Sequence, residues 1–298
     1  INFKHSIIFF NFCILISPFY LILNFEPIVL CLFLILVLGI SHGALDNIKG
    51  KKLLKLFGYE SSFSFYVIYI FISLLIIIFW LKFPNTVLFL FLIVAAYHFG
   101  KEDTVFSFKR KFLVSEGLFF LKGSSVIVAP LLLQRDKTNE IFEVLNFNVF
   151  KSPVFNDQFL IMLLCLSFLS SLYISNRKTI DLKGIMIMDF ISLIVLNFFL
   201  TPILAFTIYF CFLHSIRHSI SLIFELDKSL KSGLVKFIKK AIPLTAITSL
   251  AFLIAIFFLN NFYELNEAIY KVIFIGLASL TFPHILLEYL LEKNEKRT

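Results

Sequence analysis

Apolar runs, each about as long as a bilayer is thick, follow one another along nearly the whole chain, with short polar stretches between them. A helix needs ~20 mostly apolar residues to cross the hydrocarbon core. Ten stretches approach or meet that length: 7–24, 28–45, 62–81, 85–100, 112–134, 158–176, 184–200, 202–224, 242–260 and 268–290. The fourth and the seventh are the shortest, so the count is eight to ten. No ten-residue alternation of apolar and polar positions appears, which argues against a β-barrel. The pattern predicts an all-α fold, a polytopic transmembrane helix bundle of about ten spans, as a single integral-membrane domain over residues 1–298. The stretch 139–150 (NEIFEVLNFNVF) is amphipathic and is expected to lie flat at the outer interface. Residues 7–24 imitate the apolar core of a signal peptide, but no A-x-A-like site follows, so they read as the first span. The chain opens on Ile1, and the true start is expected upstream.

Composition sharpens this picture. The chain is 59% hydrophobic and 15% charged, with a mean hydropathy of +0.94. A soluble chain is about 45–50% apolar and 25% charged, so lipid must cover much of this surface. The 41 phenylalanines travel with abundant Ile, Lys and Asn, a bias of AT-rich coding that carries no function by itself. Cys13, Cys31, Cys165 and Cys211 lie in apolar runs without a C-x-x-C pair, so neither a disulfide frame nor a zinc knuckle is indicated.

Charge orients the spans. With the N-terminus inside, 20 of the 27 Lys and Arg residues fall in cytoplasmic segments and four (Lys82, Arg135, Lys137, Lys151) fall outside. That asymmetry places both termini in the cytoplasm and the chain in the inner cell membrane as a multi-pass protein. The net charge of +8 is thereby explained by topology and the bilayer, with no need of nucleic acid.

Five of the six histidines sit in or at the end of spans, within ISHGALD, AAYHFGKED, FLHSIRHS and TFPHILLE; His5 is near the terminus and carries no assigned role. Ionisable groups in a membrane are costly, so each is a functional candidate. In the assigned topology His42, His98, His214, His218 and His284 all lie in the cytoplasmic half. His214 and His218 are four apart, on one helix face. Imidazole suits iron, copper, zinc and nickel, and five rings in one layer read better as a metal site than as isolated hydrogen bonds. Asp46, Glu102 with Asp103, and Glu288 follow the histidines by four or five residues, where a carboxylate can accept the second N–H of a ligating ring. They also mark helix ends at the water interface. Glu116, Lys122, Asp189, Arg217 and Lys271 fall within spans as well.

HGALD, YHFG-x-ED, HSIRH and PH, in that order on a polytopic chain, resemble the Brp/Blh family of bacterial and archaeal β-carotene 15,15′-dioxygenases, over about Ser41 to Glu288. The resemblance implies an iron-dependent membrane enzyme that splits β-carotene at its central double bond with O2, giving two retinal molecules for a rhodopsin. Carried over by motif, the ligands of Fe(2+) are His42, His98, His214 and His218, with His284 a further ligand or a group behind the ligands. No catalytic residue beyond the metal site is assigned. Tyr97, Phe99, Phe212 and Phe282 are candidate lining for a substrate tunnel open to lipid, against the plainer reading that each only packs helices. A di-iron desaturase or hydroxylase would need about eight histidines in HxxxH and HxxHH boxes, against six here with one HxxxH pair. A haem-binding carrier would need only facing pairs. A transporter would need polar groups in both leaflets, and the outer halves of the spans are nearly bare.

Overall fold

A computed structural model describes residues 2–23, 27–58, 62–104, 113–176 and 180–295. The basic residues Lys109, Arg110, Lys111, Arg177, Lys178, Lys296 and Arg297 and the edges of two predicted spans, 24 and 112, lie outside the described residues. The helices are α1 (Asn2–Leu23), α2 (Ile28–Leu34), α3 (Asp46–Leu56), α4 (Ser62–Lys82), α5 (Pro84–Glu102), α6 (Leu113–Leu133) and α7 (Arg135–Val144). Then come α8 (Asp157–Asn176), α9 (Ile180–Phe199), α10 (Pro202–Ile208), α11 (Ile216–Leu226), α12 (Leu230–Leu259) and α13 (Leu265–Glu295). No strand occurs among the described residues. Nine helical stretches among them are long and apolar enough to cross a bilayer. This is the all-α, polytopic membrane architecture expected from the apolar runs.

Two of the expected spans differ in detail. The stretch 28–45 is not one helix: an apolar segment over Ile28–Gly39 is too short to cross, passes through a π-turn at Ile35–Gly39, and continues as a 3-10 segment, Ile40–Leu45. Gly39, Ser41, His42 and Gly43 interrupt the apolar run at the point where the helix changes winding. Conversely, α12 begins twelve residues before the apolar run it was read from. Asp227 explains that start: its carboxylate accepts from Lys236 Nζ (2.6 Å), Ser232 Oγ (2.7 Å) and the Ser229 amide (2.9 Å). Those bonds, that to Lys236 first, hold the half-buried Asp227 well below the usual carboxylate range. Of the amphipathic stretch, 139–144 is the C-terminal part of α7, with Ile141 and Phe142 buried, and the remainder leads into a 3-10 segment, Val149–Lys151.

The chain forms two compact units. The first comprises Ile1–Ile35 and Leu92–His218. In it α1 packs along α9, α6 lies against α8 and α9, and α2 rests on α10. The C-terminal half of α5 meets α6 backbone to backbone. A Cβ on Gly100 would sit 1.7 Å from the Phe119 carbonyl oxygen, and one on Gly123 would sit 1.8 Å from that of Ala96. Small residues at such crossings let helices in lipid approach closely. A buried ion pair ties the unit together further: Arg217 donates to Asp189 from Nη1 (2.7 Å) and Nη2 (3.1 Å), and Nη2 also reaches Ser6 Oγ (2.8 Å). His5, unassigned in the sequence, donates from Nε2 to the Phe212 carbonyl (2.9 Å) and so joins α1 to the segment carrying His214.

The second unit comprises Leu36–Phe91 and Ser219–Thr298. Here α4 lies along α13, α3 packs on both, and α12 covers the 3-10 segment. Leu53, Phe65, Leu287 and Leu291 form one buried cluster, and Leu45, Leu222, Ile223, Phe237 and Ala241 another.

The α5–α6 crossing gives a direct test. Gly100→Ala forces backbone apart and is expected to cost about 3 kcal/mol or more in unfolding from detergent, at or above the usual range for overpacking. Gly117→Ala on the same α6 meets nothing within 4 Å and is expected to leave stability unchanged or raise it by up to about 1 kcal/mol.

Candidate functional site

In the first unit, α5 ends on Tyr97, His98, Phe99, Gly100, Lys101 and Glu102, with Asp103 directly after. Thr104 closes the helix by donating to the carbonyls of Gly100 and Lys101 (both 2.8 Å). Facing this end is the segment Tyr209–Ser215, a π-turn between α10 and α11. Such turns occur often at functional sites. Two consecutive acids of α5's end reach two histidines of that segment and of α11. Asp103 Oδ1 lies 3.1 Å from His214 Nδ1, and Glu102 Oε2 lies 3.1 Å from His218 Nδ1. Asp103 Oδ2 accepts from the Tyr209 hydroxyl at 2.7 Å. The rings of His98 and His214 are 5.2 Å apart between centroids. His98, Asp103, His214 and His218 are all buried.

The second unit repeats the theme. Asp46 opens α3, and both its oxygens lie 2.9 Å from Nδ1 of His284 on α13. The Tyr69 hydroxyl donates to Asp46 Oδ2 (3.1 Å) and is shared with the Leu280 carbonyl (3.2 Å). Glu288 accepts from Lys49 at 3.1 Å and has its other oxygen 3.7 Å from His284 Nε2. The backbone of His42 lies in the 3-10 segment, and its side chain lies outside the described residues.

Among the described side chains, three acids of the histidine motifs therefore bond histidines of other helices, 103 with 214, 102 with 218 and 46 with 284, while Glu288 faces His284 of its own helix. In each ring the carboxylate takes Nδ1–H, which selects the tautomer with its lone pair on Nε2. Neutral imidazoles presenting Nε2 are donors for a first-row metal, and a carboxylate behind each is the usual arrangement in such centres. Buried imidazoles of this kind fit a metal ion.

The aromatic candidates separate. Phe99 packs edge-on to His214 (4.8 Å) and Phe210 stacks on the same ring (5.9 Å), with Phe206 stacked on Phe210 in turn (5.4 Å). Phe206 and Phe210 were not singled out in the sequence. Tyr97 donates its hydroxyl to Glu116 on α6. Phe212 turns toward α1, against Phe12 (5.6 Å). Phe282 is half-buried on α13. Of the other charged groups in spans, Lys122 is buried on α6, and Lys271 sits 4.5 Å over the Tyr263 ring.

Comparison with known proteins agrees with this chemistry. The family model described as Beta-carotene 15,15'-dioxygenase matches residues 33–292. The chain belongs to that family. It is a carotenoid-cleaving dioxygenase. A curated relative, Beta-carotene 15,15'-dioxygenase of Uncultured marine bacterium 66A03, is 29% identical over 278 residues, covering 89% of this chain and 94% of the relative. No solved structure matches.

Within this enzyme Arg217 lies between two of the histidines and is neutralised by Asp189. Asp189→Asn leaves a buried guanidinium without its anion, and is expected to cost about 3–5 kcal/mol, read as a lowered unfolding midpoint in detergent.

Proposed function

We propose that this enzyme cleaves β-carotene at its central 15,15′ double bond with O2, giving two molecules of all-trans-retinal, and that Fe(2+) is its cofactor. His42, His98, His214 and His218 hold the ion, and His284 belongs with them. The observation that carries this reading is the set of buried imidazoles bonded through Nδ1 to Asp103, Glu102 and Asp46, in a chain whose residues 33–292 match a carotene dioxygenase family. His284 meets its carboxylate as His214 does, which supports a ligand role for it. When bound, iron supplies the redox chemistry through which O2 attacks an alkene.

The chain's own residues do the rest. Asp103, Glu102 and Asp46 hold the imidazoles in one orientation, with Nδ1 toward the carboxylate, so that little must rearrange when the ion enters. Phe99, Phe206 and Phe210 give the His214 ring an apolar wall that keeps bulk water from it. The substrate is a long hydrocarbon that dissolves in the bilayer, and it enters sideways between apolar helices. Tyr97, Phe212 and Phe282 serve as further lining of that route. The enzyme lies in the inner cell membrane with both termini in the cytoplasm, and its retinal product serves a retinal-binding rhodopsin.

The test is retinal output in carotene-producing cells. The intact chain is expected to form retinal, and His42→Ala and His214→Ala each to lower it at least 100-fold at equal protein level. Retinal output undiminished in both variants would sink the metal-centre reading. Glu102→Gln replaces the charged acceptor of His218 by a neutral amide and keeps the volume; metal affinity, measured by chelator competition, is expected to fall 10–100-fold.

A further inference from the structure

Both units contain the same chain of three groups: a tyrosine hydroxyl, an aspartate, and a histidine Nδ1. In the first, Tyr209 holds Asp103 Oδ2 at 2.7 Å while Oδ1 receives His214. In the second, Tyr69 holds Asp46 Oδ2 at 3.1 Å, and the same carboxylate receives His284. A carboxylate can turn about its own axis, and with one partner it would orient an imidazole only loosely. A second donor stops that rotation: it sits on the other oxygen of Asp103, and on Oδ2 of Asp46, whose two oxygens both lie 2.9 Å from His284 Nδ1. Each tyrosine ring is itself braced, Tyr209 by the edge contact with Phe99 (5.6 Å) and Tyr69 by Phe65 (5.4 Å).

The π-turn explains how Tyr209 and His214 reach one aspartate. They are five residues apart. In an α-helix that spacing separates side chains by ~140° about the axis. A π-turn closes on residues five apart and brings them to one face. The altered winding at Tyr209–Ser215 therefore builds the Tyr209–Asp103–His214 chain.

We infer that Tyr209 and Tyr69 are positioning residues, acting through Asp103 and Asp46 to hold His214 and His284 in the orientation that binds metal. This rests on the proposed metal centre. The two hydroxyls are not equal: that of Tyr209 has one short bond, whereas that of Tyr69 is shared with the Leu280 carbonyl at 3.2 Å. Loss of Tyr209 has the larger effect.

The experiment uses Co(II) alone as the probe on purified full-length protein in detergent, reading affinity by chelator competition and the ligand-field absorption of the bound ion. The intact chain is expected to bind one Co(II). Tyr209→Phe keeps the ring, loses the hydroxyl, and is expected to bind 10–100-fold more weakly with a changed absorption band. Tyr69→Phe is expected to show a smaller loss in the same direction. Tyr66→Phe, whose hydroxyl accepts from Asn47 and meets no carboxylate among the described residues, is expected to bind as the intact chain does. Because Tyr209 acts through Asp103, the double variant Tyr209→Phe/Asp103→Asn should bind no more weakly than Asp103→Asn alone. If Asp103→Asn fails to fold, Tyr209→Phe decides by itself. Affinity and spectrum unchanged in both Tyr→Phe variants would overturn the inference and leave the metal centre standing. An intact chain that binds no Co(II) would overturn both. A Tyr209→Phe protein that is less stable without metal yet binds Co(II) with unchanged affinity and spectrum would reduce the tyrosine to a packing role.

Discussion

A carboxylate withdrawn from water must be given donors, and in this chain that requirement organises the site. Leaving a buried charged or polar group without partners costs several kcal/mol, more than a typical hydrogen bond returns. Asp103 and Asp46 are both buried. Each is met by a histidine N–H and a tyrosine O–H, and Asp189 by Arg217 and Ser6. The partners come from helices far apart in the chain, so satisfying each acid also fixes which helices meet. The same bonds that hold each unit together internally set the orientation of the imidazoles.

That coupling links fold to chemistry. Lipid-embedded helices gain little from burying apolar surface against one another, since the surrounding lipid is equally apolar. Close backbone approach, as at Gly100 and Gly123, and polar bonds between helices carry more of the specificity. An arrangement of buried imidazoles, three of them backed by carboxylates and that of His214 walled by phenylalanines, is suited to hold a metal ion beside a hydrocarbon. Family membership makes that hydrocarbon a carotenoid. The chain's elements thus divide the labour: apolar helices for the solvent, small residues for approach, and a few acids for orientation.

Much of this was legible in the sequence. The apolar runs revealed the spans because bilayer thickness demands a minimum length, and nine long helices match them. The histidines stood out because ionisable groups in apolar runs are rare, and the motifs around them pointed to the right family. The pairing of acids with histidines was not legible. Proximity suggested that Asp46, Glu102 and Asp103 serve the histidines they follow, whereas the bonds to His284, His218 and His214 span 238, 116 and 111 residues. Local spacing carries no information on such contacts. Nor was the π-turn at Tyr209–Ser215 signalled, since it contains neither glycine nor proline. Tyr209 and Tyr69 consequently passed as ordinary span aromatics. The start of α12 was misplaced because Leu230–Ala241 is too rich in lysine to read as membrane helix, yet Asp227 and Lys236 fix it there.

The central claim is that histidines held by carboxylates bind one iron ion through nitrogen. X-ray absorption at the iron edge, on the purified, iron-loaded enzyme, tests it without reference to turnover. The account predicts a shell of four or five light-atom ligands at about 2.1 Å, the range of metal–imidazole bonds, with the multiple-scattering pattern of imidazole rings. A sulfur shell, an iron–iron vector, or a shell of oxygen alone without imidazole scattering would contradict it.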